Sequence, residues 1–246
     1  MSKHIVVGAG PVGTATALRP AEQEEQVVVV TRSGSGPTHQ GIGRTAADAS
    51  SAAAMTEFAA GAVAIYNCAN PAYHRWPSDW RPLPKHCSRP PSVRVRFLPI
   101  AAVTATVSHL YGYGPVSSPM TEDLPLAVQG PKALICVPMW RDALAAHVAG
   151  RVRVTEVRGS DYVGHGAQIH LGDRVVPRLL AGRDVTVTRS SDTRHTWTAT
   201  DDVARLLVMV AVDERAWGRP GTCRATRHGA SARLWATCAV SQESSQ

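Results

Sequence analysis

The order strand, glycine turn, small-residue helix at the start of the chain constrains its fold more than any other feature. His4-Ile5-Val6-Val7 runs into Gly8-Ala9-Gly10-Pro11-Val12-Gly13 and then into Thr14-Ala15-Thr16-Ala17-Leu18. A G-x-G-x-x-G turn between a buried strand and a helix is the fingerprint of a dinucleotide site. Gly8 permits the tight turn, Gly10 lets the backbone approach a pyrophosphate, and Gly13 lets helix and strand pack closely. The unpaired N–H groups and positive dipole end of that helix then hold phosphate. Val27-Val28-Val29-Val30 supplies a second buried strand behind the helix. The bland alternative is a glycine-rich βα turn that binds nothing.

The rest of the first half continues the alternation. Ile42 to Ala46 reads as a third strand, Ser51 to Ala60 as an alanine-rich helix and Ala62 to Tyr66 as a fourth strand. The first helix should span Val12 to about Gln23, with Pro20 expected to end it early. Farther on, Ala101–Val107 and Val152–Val157 read as strands; Met139–Ala149, Asp173–Ala181 and Asp201–Val212 read as helices. Thr200 or Asp201 is the expected N-cap of the last helix. Alternating strands and helices with short connections predict an α/β chain, a Rossmann-like doubly wound parallel sheet with a truncated smaller substrate lobe. The division expected is residues 1–158 for the nucleotide-binding part and 159–246 for the partial lobe.

Composition narrows the compartment and partners. No apolar run is long enough to span a bilayer and no signal segment precedes the first strand, so a cytoplasmic protein is expected. Five cysteines without paired or metal-like spacing fit a reducing compartment and offer no zinc site. The net charge of +7 does not mark a nucleic-acid binder, because it is concentrated in two segments. Pro84–Leu98 carries Lys85, Arg89, Arg94 and Arg96 with no acid, and Gly221–Gln246 carries Arg224, Arg227 and Arg233 against Glu243.

Both segments read as foreign to the fold. The region 83–99 should hold the crossover helix that parallel strands need, yet it has four prolines and no helical period. Back-translated with GC-rich codons and read one base earlier, it becomes A-E-A-L-L-A-A-A-E-R-A-G-A-V-L, a helix with a glycine stop. Gly221–Ser231 read the same way gives W-H-V-P-S-N-A-P-R-S. The expectation is a gene with compensating frame changes, a substrate lobe cut short, and in consequence poor solubility and weak turnover. An uninterrupted in-frame gene sequence over these residues would sink it.

Several short segments, taken in order, resemble the extended short-chain dehydrogenase/reductases, the NAD(P)-dependent epimerase/dehydratase family. Gly8–Gly13 matches the nucleotide turn, and Asp48 stands where the family contacts adenine. Asn67-Cys68-Ala69-Asn70 stands at the strand end that lines the cofactor. Thr106-Val107-Ser108 with Tyr111-Gly112 is similar to the family's serine-rich strand end and Tyr-Gly pair. Thr121-Glu122-Asp123-Leu124-Pro125, Arg158 to Gly164 and His195 to Ala204 follow in family order.

The resemblance implies hydride transfer at a hydroxyl or carbonyl carbon of a small, sugar-nucleotide-like substrate, with a homodimer as a compatible assembly. It implies cofactor contacts from Gly8, Gly10, Pro11, Val12, Gly13, Arg32, Asp48, Asn67 and Ala69. At the end of the second strand stands Thr31-Arg32-Ser33, with no acid for a ribose 2′-hydroxyl; a guanidinium there favours NADP over NAD. The family's Tyr-x-x-x-Lys dyad is missing: Lys132 is preceded four residues earlier by Val128. Ser108, Tyr111 and Lys132 are the remaining candidates for the chemistry, with Tyr113 beside them as a further substrate-side hydroxyl. A non-catalytic nucleotide-binding remnant of such an enzyme is the alternative. Trp76, with His74 and Trp80, is a candidate pocket cover, whereas Asp201 and Asp202 read as helix capping and His165 and His170 as loop residues.

Overall fold

A computed structural model describes residues 1–71, 75–76, 102–167, 175–185, 194–223 and 228–230. Seven strands form one sheet: β1 (Lys3–Val7), β2 (Gln26–Thr31), β3 (Ile42–Ala46), β4 (Ala62–Asn67), β5 (Val103–His109), β6 (Arg153–Gly159) and, late in the chain, a short strand at Pro220–Thr222. Their order is β3-β2-β1-β4-β5-β6 followed by that last strand, and every neighbouring pair is parallel. The chain winds outward from β1 in one direction and from β4 in the other. The crevice above the C-terminal ends of β1 and β4 is therefore the topological switch point, where such sheets bind ligands.

Helices cover both faces because the strand side chains alternate. Val6, Val27, Val29, Ala64, Ala105 and Val157 form one buried face with Val12 and Ala17 of α1 (Pro11–Glu22). Val203, Leu207 and Ala211 join the same core from a late helix, Thr200–Val212. Ile5, Val7, Val30 and Ile65 point the other way onto Met55 and Ala59 of α2 (Ala52–Ala59). Beyond them, α3 (Gly130–Val148) lays Trp140, Ala143 and Ala146 on Val152 and Val154.

After β6 the chain builds a second, three-stranded sheet from β7 (Asp161–Val163), β8 (Arg194–Ala199) and a last strand at His228–Ala230, with α4 (Val176–Leu180) between β7 and β8. The helix Thr200–Val212 is α5, Pro220–Thr222 is β9 and His228–Ala230 is β10. Residues 200–222 thus return to the large sheet, and the part of the chain after residue 158 serves both sheets. Gly164 holds the junction: its φ is +141°, and a Cβ there would lie 2.3 Å from Thr200 Oγ1.

Four differences from the sequence reading have physical reasons. Pro20 does not end α1; it sits in the last turn, where its carbonyl accepts from Gln23 N–H at 3.0 Å and closes the helix. The third helix begins at Gly130, not Met139, because Pro131 lies in the first turn, where a missing N–H costs nothing. The N-cap of α5 is Ala199, without a side-chain cap; Asp202 instead pairs with Arg205 and Asp201 lies in the first turn. The tail segment read as foreign begins inside β9: Gly221 and Thr222 pair with Val157 and Arg158, and Cys223 is buried. The other foreign segment, 83–99, lies outside the described residues, as do His74, Trp80 and His170.

Candidate functional site

The glycine turn sits at the switch point, and its stereochemistry explains two of its three glycines directly. Gly8 has φ +95°, and a Cβ on it would stand 2.8 Å from Cys68 O and 2.9 Å from the Ala69 backbone. A Cβ on Gly13 would lie 2.0 Å from Gly8 O, so strand end and helix start interlock with no room for a side chain. Gly10 differs: nothing lies within 4 Å of its Cβ position. It is the N-cap of α1, no side chain caps the helix, no acid stands in the first turn, and Pro11 opens it. The N–H groups of Val12 and Gly13 in that first turn have no intrahelical acceptor. This cradle fits the phosphates of a dinucleotide: a backbone bend only glycine can make, open space over Gly10, and an uncapped positive helix end.

Around the cradle stand the other residues expected at a cofactor. Asn67 ends β4 level with Val7 and Thr106; it is buried, and its Oδ1 has no hydrogen-bond partner among the described residues. Ala69 lies against Gly8. Arg32 follows β2 and is exposed. Ala47 N–H donates to Thr31 O, which brings the end of β3 beside that of β2. Asp48 Oδ1 accepts from Ser50 N–H at 2.9 Å, and these bonds, with the nearby Arg32 charge, hold its carboxyl below the usual carboxylate range. The turn carrying Gly166 also reaches the cradle, its Cβ position 3.5 Å from Pro11 Cγ.

The next strand ends form a second cluster made of side chains. Lys132, on the first turn of α3, places Nζ 3.9 Å from the Tyr111 ring centroid and 6.0 Å from that of Trp76. His109 stacks on Tyr111 with centroids 5.0 Å apart and lies 5.0 Å from Tyr162 and 6.0 Å from Trp76. Tyr162 Oη donates to Ser108 O, and Trp76 Nε1 donates to Pro71 O at 2.9 Å. Burial, then the Lys132 charge, pushes the His109 imidazole down to about 4, so it is neutral at ordinary pH.

Beneath this cluster lies a buried ion pair. Arg158 Nε and Nη2 both reach Glu156 Oε2 at 2.8 Å, and Arg158 Nη1 donates to Tyr113 Oη at 2.7 Å. Ser108 hydrogen-bonds Glu156 as well, so its hydroxyl faces the ion pair. Burial raises the Glu156 carboxyl against the lowering pull of Arg158 and Ser108.

The sequence candidates therefore fall into two groups. Tyr111 and Lys132 meet, and Tyr113 and Ser108 are tied to the Glu156–Arg158 pair. Trp76 is buried against Tyr111 and His109. His165 is exposed. Sequence reasoning missed His109, Tyr162 and Glu156. The signal for Glu156 was there: Glu156 and Arg158, opposite charges at alternate positions of one strand, share one face of the sheet.

The fold defines a class, a Rossmann-like α/β fold with its glycine turn at the topological switch point. More particularly, the fold is shared with NAD-dependent sugar-nucleotide dehydratases and epimerases. One is the dTDP-glucose 4,6-dehydratase of Streptomyces venezuelae, solved with NAD: 16% identity, TM-score 0.75, 98% of this chain and 81% of that one. A second is the UDP-glucuronic acid 4-epimerase of Bacillus cereus, in complex with NAD: 14% identity, TM-score 0.77, covering 99% and 83%. A third is the UDP-glucose 4-epimerase of Thermotoga maritima with UDP-glucose: 15% identity, TM-score 0.75, covering 96% and 81%. No family model matches the sequence, and no curated protein does. Among the described residues no helix is long and apolar enough to cross a membrane.

Proposed function

We propose that this chain is an NAD(P)-dependent oxidoreductase of the epimerase/dehydratase type, a member of the extended short-chain dehydrogenase/reductases. It moves hydride at a hydroxyl-bearing or carbonyl carbon of a small, sugar-nucleotide-like substrate. The single observation that carries the reading is the placement of the Lys132–Tyr111 pair at the same sheet edge as the glycine cradle. A nicotinamide cofactor held at the glycine cradle would supply the hydride acceptor or donor.

The chain's own residues do the rest. Gly8, Gly10 and Gly13, with the α1 end behind Pro11 and Val12, hold the pyrophosphate; Asn67 and Ala69 line the cofactor's path. Asp48 meets the adenine. Arg32, exposed just past β2, would pair with a 2′-phosphate, which favours NADP. Tyr111 takes the role of the missing dyad tyrosine, passing the hydroxyl proton, and the Lys132 ammonium beside it stabilises the phenolate. Ser108, held by Glu156, orients the substrate oxygen. Residues 1–158 form the cofactor-binding part, and 159–246 contribute the substrate lobe along with α5 and β9.

Titration with NADPH and NADH, followed by turnover on UDP- and dTDP-sugars, tests this. Wild-type chain should bind NADPH more tightly than NADH and turn over at least one sugar nucleotide. Lys132→Ala should keep cofactor affinity and lose about 100-fold or more in kcat. Cofactor binding with no turnover by wild type would select the non-catalytic alternative.

A further inference from the structure

His109 is unassigned by the reading above, and it is the chemically odd residue of the cluster. It ends β5 at the C-terminal edge of the sheet, one residue past Ser108 and two before Tyr111. Its Nδ1 is buried and, among the described residues, has no hydrogen-bond partner. A buried polar atom left unmade costs about 1–3 kcal/mol, so such an atom calls for an explanation in function. The ring is not free to turn and find a partner, because Tyr111 stacks on it at an interplanar angle of 29° and Tyr162 and Trp76 flank it.

The surroundings fix what kind of group can satisfy that atom. Lys132 and Asp161 both act on the imidazole, and the buried ring is neutral. A neutral imidazole carries one N–H donor and one acceptor nitrogen, so Nδ1 can exchange a hydrogen bond with a hydroxyl, which donates or accepts as the tautomer requires. Tyr111, Tyr162 and Trp76 surround the imidazole with aromatic rings, a lining of the kind that packs against C–H surface. A flat molecule with C–H faces and a rim of hydroxyls satisfies both demands.

We propose that His109 Nδ1 is a substrate contact, the hydrogen-bond partner of a hydroxyl on a sugar ring lodged among Tyr111, Tyr162 and Trp76. This rests on the sugar-nucleotide reading of the site. It assigns His109 to recognition of the sugar, whereas Tyr111 and Lys132 handle the proton.

The test uses the full chain labelled with ¹⁵N-histidine and saturated with NADPH, with UDP-glucose as the probe. Addition of UDP-glucose should shift the His109 Nδ1 resonance. His109→Phe keeps the stacked ring and removes the nitrogen, and it should weaken UDP-glucose binding by about tenfold or more. His109→Asn puts a polar atom near the place of Nδ1 and should restore affinity to within about threefold of wild type. NADPH affinity should be unchanged in both, since His109 does not touch the cradle. An unmoved Nδ1 resonance, wild-type affinity in His109→Phe, or no UDP-glucose binding by wild type overturns the assignment. Failure of wild type to bind NADPH while the Nδ1 shift persists overturns the cofactor reading instead.

Discussion

The cradle at β1–α1 and the cluster at β5–α3–β6 stand side by side on one sheet edge but are made of different material. The cradle is backbone: its shape comes from a positive φ at Gly8, a carbonyl occupying the Cβ place of Gly13, and a helix end with no side chain over it. The cluster is side chain: an ammonium over a phenol ring, three more aromatic rings, and a buried carboxylate–guanidinium pair. A backbone site tolerates almost no substitution at its few positions and is indifferent to what surrounds it. A side-chain site depends on residues far apart in the chain and on charges that must balance.

The contrast is broken hardest at the ion pair. Arg158→Met leaves Glu156 buried without its cation, and urea denaturation should show a loss of about 3–5 kcal/mol. The double variant with Glu156→Leu should recover most of that loss, because two matched apolar groups need no desolvation. Next comes the cradle. Gly13→Ala drives a methyl into Gly8 O and should cost about 3 kcal/mol of stability together with cofactor binding. Gly10→Ala meets nothing in the protein, so stability should stay within about 0.5 kcal/mol. Its NADPH affinity should fall about tenfold, because the methyl stands where phosphate approaches. If Gly10→Ala instead unfolds the chain, the view of Gly10 as a ligand-facing residue is wrong.

The smallest effect is a pH slope. His109 is held down to about 4, mainly by burial, against an unfolded value of 6.5, so the folded chain binds fewer protons than the unfolded one across that window. Its contribution to stability is complete above pH 6.5 and is lost as pH falls toward 4. His4 shifts the same way through burial. Urea midpoints between pH 7 and 4 should therefore decline, and His109→Phe should flatten that decline without abolishing it.

The same division governs what could be read in the sequence. Ile42–Ala46 was legible as a strand to the residue, and Gly8–Gly13 as a cradle, because both are set by local pattern and stereochemistry. The start of α3 was not, since proline reads as a breaker until its place in the first turn is known. Tyr111 could be nominated from the Tyr-Gly pair and Lys132 only by elimination; their contact needs α3 to fold across the end of β5. His109 gave no signal at all, because a histidine at a strand end is unremarkable until its neighbours from β7 and α3 arrive.

The last strand of the large sheet has a consequence of another kind. A strand at the rim of a sheet offers a template on which a second chain can add itself. Here β9 is three residues long, begins with Pro220, and is knitted inward by Gly218 N–H to Val154 O at 2.7 Å and Cys223 N–H to Arg158 O at 2.8 Å. So short a rim, with one donor missing, presents a poor surface for edge-to-edge polymerisation.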